Sequence, residues 1–147
     1  KFFGTIATVI GGIIGGLAAV HLGIMRSLFI GALISSLSNL LFAWLANIAA
    51  DIRILSFVIT ADNIASGFAG ATFIVYLSAL TSVKFTATQY ALFSSVMLFL
   101  PKLIAGYAGS FVNLFGYQTF FIFTAIIGVP VLFLIMWINK IVNINKN

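Results

Sequence analysis

Long apolar runs separated by short polar loops set the pattern of this chain. Five runs stand out: 2–20, closed by "HLGIMR"; 27–45, closed by "NIAADIR"; 54–80, closed by "TSVKFTAT"; 89–115, closed by "GYQ"; and 119–138, followed by the polar tail 139–147. Each is near or above the roughly 20 residues that an α-helix needs to cross a hydrocarbon core of about 30 Å. None alternates apolar and polar positions with period two, and all are too long for the strands of a membrane barrel. The pattern predicts an all-α, polytopic membrane helix bundle of about five transmembrane helices. The first run is a full span, rich in glycine and followed by four more, which sets it apart from a secretory leader.

Composition removes the soluble alternative. Hydrophobic residues make up 63% of the chain and charged residues 6%, against roughly 45–50% and about 25% in a soluble domain. So few charges cannot cover a water-facing surface, and the lipid bilayer is the expected partner. The net charge of +5 comes from Lys and Arg scattered singly. With no basic cluster, Cys/His finger or RNA-reading motif, no nucleic-acid partner is expected. Cysteine is absent, so disulfides and thiolate metal sites are excluded. One His and two Asp offer no metal centre or catalytic constellation, and "GGIIGG" lacks the Lys-Ser/Thr of a phosphate loop. No metal, cofactor or enzymatic activity is expected.

Loop charges predict the orientation. Arg26, Lys84, Lys140 and Lys146 fall on one side with His21, while Lys1 and Arg53 fall on the other with Asp51. The excess of basic residues marks the cytoplasmic face, so the C-terminus is expected in the cytoplasm. Five spans put the two ends on opposite sides, and the chain does not begin with Met. The expectation is a piece of a longer membrane protein, with a non-functional remnant of a split gene as the alternative.

Small and polar residues recur at helical spacing. Gly11 and Gly15, and Gly12 and Gly16, form two overlapping GxxxG pairs, which let helices approach closely. In the third run Asn63, Gly67 and Gly70 lie along one stripe, with Asp62, Ser66 and Ala69 beside it. In the fourth, Ser95, Lys102, Gly106, Gly109 and Asn113 share a face. The glycines predict helix packing. Ser35, Ser36, Ser38 and Asn39 of the second run predict interhelical hydrogen bonds, each contributing about 1 kcal/mol or less.

Asp62 and Lys102 differ in kind, because an ionised side chain at mid-bilayer costs about 2.5–3.5 kcal/mol even on the lenient insertion scale. Such residues face a partner or a watery cavity. Their depths differ by about one helical turn, so a pair between consecutive spans is geometrically allowed. Two readings stay open: a static ion pair joining two helices, or a place in a substrate or proton pathway. A carboxylate that alternates between wet and dry surroundings changes protonation, since desolvation raises a carboxyl pKa and a nearby cation lowers it. That is the chemistry of proton coupling, and Asn63 beside it could orient the acid or bind a sugar or peptide group.

Two sets of residues carry a family resemblance. "GLAAVHLGIMR", 16–26, resembles the cytoplasmic loop signature of the major facilitator superfamily: Gly16, His21 and Gly23 match, Val20 stands at the acid, and Ile24 and Met25 replace later bases. The blocks "DN" at 62–63, "FTATQYALFSS" at 85–95, "GYQTFF" at 116–121 and "VP" at 129–130 resemble the AmpG-type muropeptide permeases, a branch shared with acetyl-CoA transporters. The resemblance implies helices eight to twelve of a twelve-helix fold, with the N-terminal helices of the same transporter as partner. It implies proton-driven import of peptidoglycan breakdown products, anhydromuropeptides, across the bacterial inner membrane. An acyl-CoA-like solute or another organic anion remains the alternative substrate class.

Carried over residue by residue, Asp62 stands where the family usually has Glu. The family's basic residue falls at Pro101, one position before Lys102, a shift of about 100° around the helix that a proline kink could absorb. The third span would line a central cavity and the fourth would flank it. Ser66 and Ser95 are then candidate cavity positions. Gln89 and Tyr90 are candidate gate contacts or interface anchors, and Thr86 or Thr88 a candidate helix cap.

Overall fold

Apolar segments in a medium without water must close their backbone hydrogen bonds internally. In the computed structural model, which describes residues 2–48, 51–81 and 86–144, they do so as helices. α1 spans Phe2–Leu22, α2 Ile24–Leu45, α3 Ile52–Leu80 and α4 Thr86–Ile144. All four are long and apolar enough to cross a membrane, and no strand occurs among the described residues. The fold is an all-α membrane helix bundle. Lys1, Lys84 and Lys146 of the orientation argument lie outside the described residues, as does the side chain of Thr86.

Two glycines make the sharp reversals. Gly23, between α1 and α2, has φ 89° and ψ 153°, and Gly116, inside α4, has φ 79° and ψ 164°. This backbone region is essentially closed to residues with a Cβ, at a cost of about 1–3 kcal/mol. Gly116 divides α4 into two arms, 86–115 and 117–144. In a continuous helix residues 111 and 123 would lie about 18 Å apart, yet the Phe111 and Phe123 rings stack with centroids 5.3 Å apart. The arms therefore fold back on each other as a helical hairpin. Pro101 and Pro130 both sit inside helix, and the non-helical residue is Gly116. At the start of α3, Asp51 is the N-cap, its carboxylate accepting the Arg53 backbone N–H at 2.8 Å. That role accounts for one of the two acids in the chain.

α3 is the centre of the packing, with α1 against one face and α2 against another. The α1–α3 crossing is parallel and close enough to exclude side chains. A Cβ on Gly67 would run into the Thr8 carbonyl and lie 2.9 Å from the Gly12 nitrogen. One on Gly11 would strike the Ile64 carbonyl, and one on Gly15 would sit 2.6 Å from the Phe68 carbonyl oxygen. Gly12 borders the same contact, its Cβ position 3.8 Å from the Gly67 carbonyl oxygen. Lipid tails are as apolar as leucine, so this crossing is held by dispersion between closely approaching backbones rather than by expulsion of water.

α2 runs antiparallel to α3, with Gly31 packed against Ala69 and Thr72. The second arm of α4 covers the next face of α2: Phe42 stacks on Phe121 at 5.0 Å, and Gly128 closes on the Ser36 hydroxyl. Gly16, Gly70, Gly106 and Gly109 have open space where a Cβ would go. The first arm of α4 presents large apolar side chains outward, among them Leu92, Phe99 and Ile104.

Gly67→Ala is expected to cost about 1–3 kcal/mol through overpacking, read as a lowered unfolding midpoint of the detergent-solubilised chain. Gly70→Ala, three residues along the same helix, is expected to stay within about 0.5 kcal/mol of the parent. Equal effects at the two positions would show that the crossing tolerates a methyl group.

Candidate functional site

α3 carries Asp62 and Asn63 about 15 Å along its axis from Ile52. Successive residues on a helix point about 100° apart, so these two meet different neighbours. Asp62 is half-buried on the α2 side, where the Ser38 hydroxyl donates to its Oδ1 at 2.8 Å. Ser38 itself is only 3% exposed, and its Oγ also lies 2.9 Å from the Ser35 carbonyl oxygen. Asn63 is half-buried on the α1 side. Its Nδ2 donates to the Ile59 carbonyl at 2.7 Å, and its Oδ1 lies 3.1 Å from the Thr8 hydroxyl. That hydroxyl is also 3.0 Å from the Gly4 carbonyl oxygen, and its single proton serves one acceptor at a time.

Beside Asn63 lies a hollow of about 410 Å³ lined by Gly4, Thr5, Thr8, Val9, Ile59 and Asn63. Its lining has no ionisable group. Hydroxyls and an amide both donate and accept, which suits uncharged polar groups such as sugar hydroxyls and peptide amides. Thr5 and Thr8 are absent from the candidate residues read from the sequence. The available signal is two threonines three apart in a run of Ile, Val and Gly, a spacing that puts both on one helix face.

The structure does not bring Asp62 and Lys102 together. The Asp62 carboxylate is bonded to Ser38. Lys102 is exposed on the first arm of α4, over a groove of about 430 Å³ whose other lining residues, Ser95, Val96, Leu98 and Phe99, belong to the same arm. The Ser95 hydroxyl donates back to the Ala91 carbonyl at 2.7 Å. Ser66 is exposed on α3, and Gln89 and Tyr90 are half-buried near the start of α4. In the polar cluster of α2, Ser36 and Asn39 bond back to their own helix, to the carbonyls of Ala32 and Ser35. Ser38 is the member that bonds across to another helix. No group of three or more metal-ligating side chains is present among the described residues.

No protein-family model matches the chain. Its likeness to curated proteins is extensive. Over 144 residues, 98% of this chain, it is 37% identical to the protein named "Putative transporter AmpG 4" of Rickettsia felis. It is 34% identical over 95% of its length to AmpG 1 of the same organism. With AmpG 3 of Rickettsia prowazekii it shares 35% identity over 83% of its length. The chain is homologous to part of the AmpG transporters. It covers 35%, 32% and 29% of these three relatives, about a third of an AmpG transporter's length. These relatives are transporters by name.

The Ser38–Asp62 contact generates a test of its own. In a double-mutant cycle with Ser38→Ala and Asp62→Ala, the coupling energy is expected at about 0.5–1.7 kcal/mol, the range of interhelical hydrogen bonds in membranes. Pairing Thr8→Val with Asp62→Ala is expected to give no coupling, because Thr8 bonds to Asn63. Unfolding of the detergent-solubilised variants measures both.

Proposed function

We propose that this chain forms the later helices, eight to twelve, of a proton-coupled secondary transporter of the major facilitator type. It imports anhydromuropeptides, the breakdown products of peptidoglycan, across the bacterial inner membrane, and its C-terminus lies in the cytoplasm. Homology to the AmpG transporters supports transport. The observation that carries the coupling reading is the environment of Asp62: the one acid inside a span faces a buried hydroxyl and, among the described residues, no cation.

That environment accommodates either protonation state. Ser38 Oγ has one proton and two acceptors in reach, Asp62 Oδ1 at 2.8 Å and the Ser35 carbonyl at 2.9 Å. With Asp62 ionised, Ser38 donates to the carboxylate. With Asp62 protonated, the carboxyl O–H donates to Ser38, whose own proton turns to the Ser35 carbonyl. Neither arrangement leaves the Ser38 hydroxyl or Asp62 Oδ1 without a hydrogen-bond partner, which is the requirement on a carboxyl proposed to carry a proton. Asn63, on the same turn, faces the uncharged polar hollow of α1 and α3, which is the proposed contact for a sugar or peptide part of the solute. The outward apolar faces of α1 and of the first arm of α4 are where the remaining helices of the transporter would pack, since rocking transport needs both repeat bundles.

Uptake of radiolabelled anhydromuropeptide into vesicles carrying the whole transporter is expected to depend on an imposed proton gradient. Asp62→Asn is expected to reduce it to the level seen without a gradient, and Thr8→Val to weaken uptake while leaving its gradient dependence intact. Undiminished gradient-driven uptake in Asp62→Asn would reduce the Ser38–Asp62 bond to a clamp between two helices. Absence of uptake in the unaltered protein, with transport of an organic anion instead, would replace the substrate class.

A further inference from the structure

Away from Asp62, α2 and the second arm of α4 leave two hollows that the proposed transport path does not use. One, of about 370 Å³, is lined by Arg26 together with Met25, Phe29, Ile30, Ile135, Met136 and Asn139. The other, of about 360 Å³, reaches deeper past Leu28 and Ala32 towards Phe73 and Met97. Met25 and Ile135 border both, so the two adjoin. Arg26 is the only charged residue lining either one.

The occupant follows from the chemistry of the walls. A hollow lined by Leu, Met, Ile and Phe offers water too few partners to hold it, and in a bilayer the molecule at hand to fill it is hydrocarbon. Arg26 is exposed in the first turn of α2, at the end of the helix that meets the headgroup layer. A guanidinium there presents a planar fork of donors that matches a phosphate. From Arg26 to Ala32 is about 9 Å along the helix, so the deeper apolar hollow lies at acyl-chain depth and is reached from the cation past Met25, which borders both hollows. Lys140, next to Asn139 at the end of the opposing arm, adds positive charge at the same level.

We infer that the groove between α2 and the second arm of α4 is a binding site for an anionic phospholipid, its phosphate held by Arg26 and one acyl chain seated in the hollow beyond Met25. The site is separate from the Asp62 contact and stands whether or not the transport proposal does. Basic pockets between membrane helices are general anionic-lipid sites. Here the apolar hollow adds a grip on the chain that a surface charge alone lacks.

Native mass spectrometry of the full chain tests it, after equilibration in detergent with equal amounts of phosphatidylglycerol and phosphatidylethanolamine. One retained phosphatidylglycerol is expected, favoured about fivefold over phosphatidylethanolamine, the effect of one basic residue at a membrane surface. Arg26→Gln is expected to abolish the preference and Arg26→Lys to keep part of it. Ala32→Trp, which fills the hollow, is expected to lower retention of both lipids. Arg53→Gln, at the other end of the bundle, is expected to change neither. Equal retention of the two lipids by the unaltered chain, or an undiminished preference in Arg26→Gln, would overturn the assignment. So would a lipid-free dimer, which would give the groove to a second copy. Should Arg26→Gln fail to fold, Arg26→Lys and Ala32→Trp separate the charge and chain contributions without it.

Discussion

The backbone-to-backbone crossing of α1 and α3 is the constraint on which the rest depends. Gly11, Gly15 and Gly67 meet carbonyl groups of the facing helix with no room for a methyl group, so the crossing point and the rotation of α3 are set together. Asn63 lies one turn before Gly67 and therefore shares the face that looks at α1, where it meets Thr8. Asp62, turned about 100° from it, is delivered to α2 and Ser38. A different rotation of α3 would lift both polar side chains from their partners. In lipid, where there is no water to take over the lost bonds, each stranded group would cost several kcal/mol.

Hydroxyls elsewhere in the spans follow a cheaper rule. Ser56, Thr60, Thr72 and Ser78 each donate to a carbonyl one turn back in α3. Such bonds satisfy the hydroxyl locally and commit the helix to no neighbour. Against that background Ser38 and Thr8 stand apart, because each hydroxyl reaches across to α3 as well as back to its own helix, and Ser38 alone of the two meets a carboxylate. Both acids of the chain are thereby placed: Asp51 caps α3 at the membrane surface, and Asp62 occupies the bundle interior between helices.

The helices themselves were legible because span length and composition act along the chain, without reference to neighbours. α2, read as 27–45, runs Ile24–Leu45, and α3, read as 54–80, runs Ile52–Leu80. The shift at both starts reflects polar first turns, containing Arg26 and Arg53, that a hydropathy reading assigns to loops. The reversal near 116–118, read as a three-residue polar break, is made by Gly116 alone. What local pattern could not convey is which face of a helix has a neighbour. The two GxxxG pairs of α1 are equivalent by spacing, yet Gly11 and Gly15 face α3 tightly while a Cβ on Gly16 would meet open space. The charge pairing failed for a related cause. Asp62 and Lys102 lie on consecutive spans at similar depth, but α3 packs against α1 and α2, and chain order is not spatial order.

If Asp62 carries the coupling proton, the arrangement also limits how that proton is felt by the solute. Asp62 and Asn63 are adjacent on one helix but bonded to opposite neighbours, so a change at Ser38 reaches the Asn63 hollow only through movement of α3 itself. Rotation of α3 is resisted by the glycine crossing. A rigid-body shift of α1 and α3 as a pair, away from α2, leaves that crossing intact and instead opens the packing of Gly31 on Ala69 and Thr72. The hydrogen bond that such a shift would break is Ser38–Asp62, and on that reading its donor and acceptor would exchange roles when the carboxyl gains a proton. A protonation-sensitive bond at the seam between a rigid helix pair and the rest of the bundle is a suitable place to link proton uptake to rocking of one helix group against another.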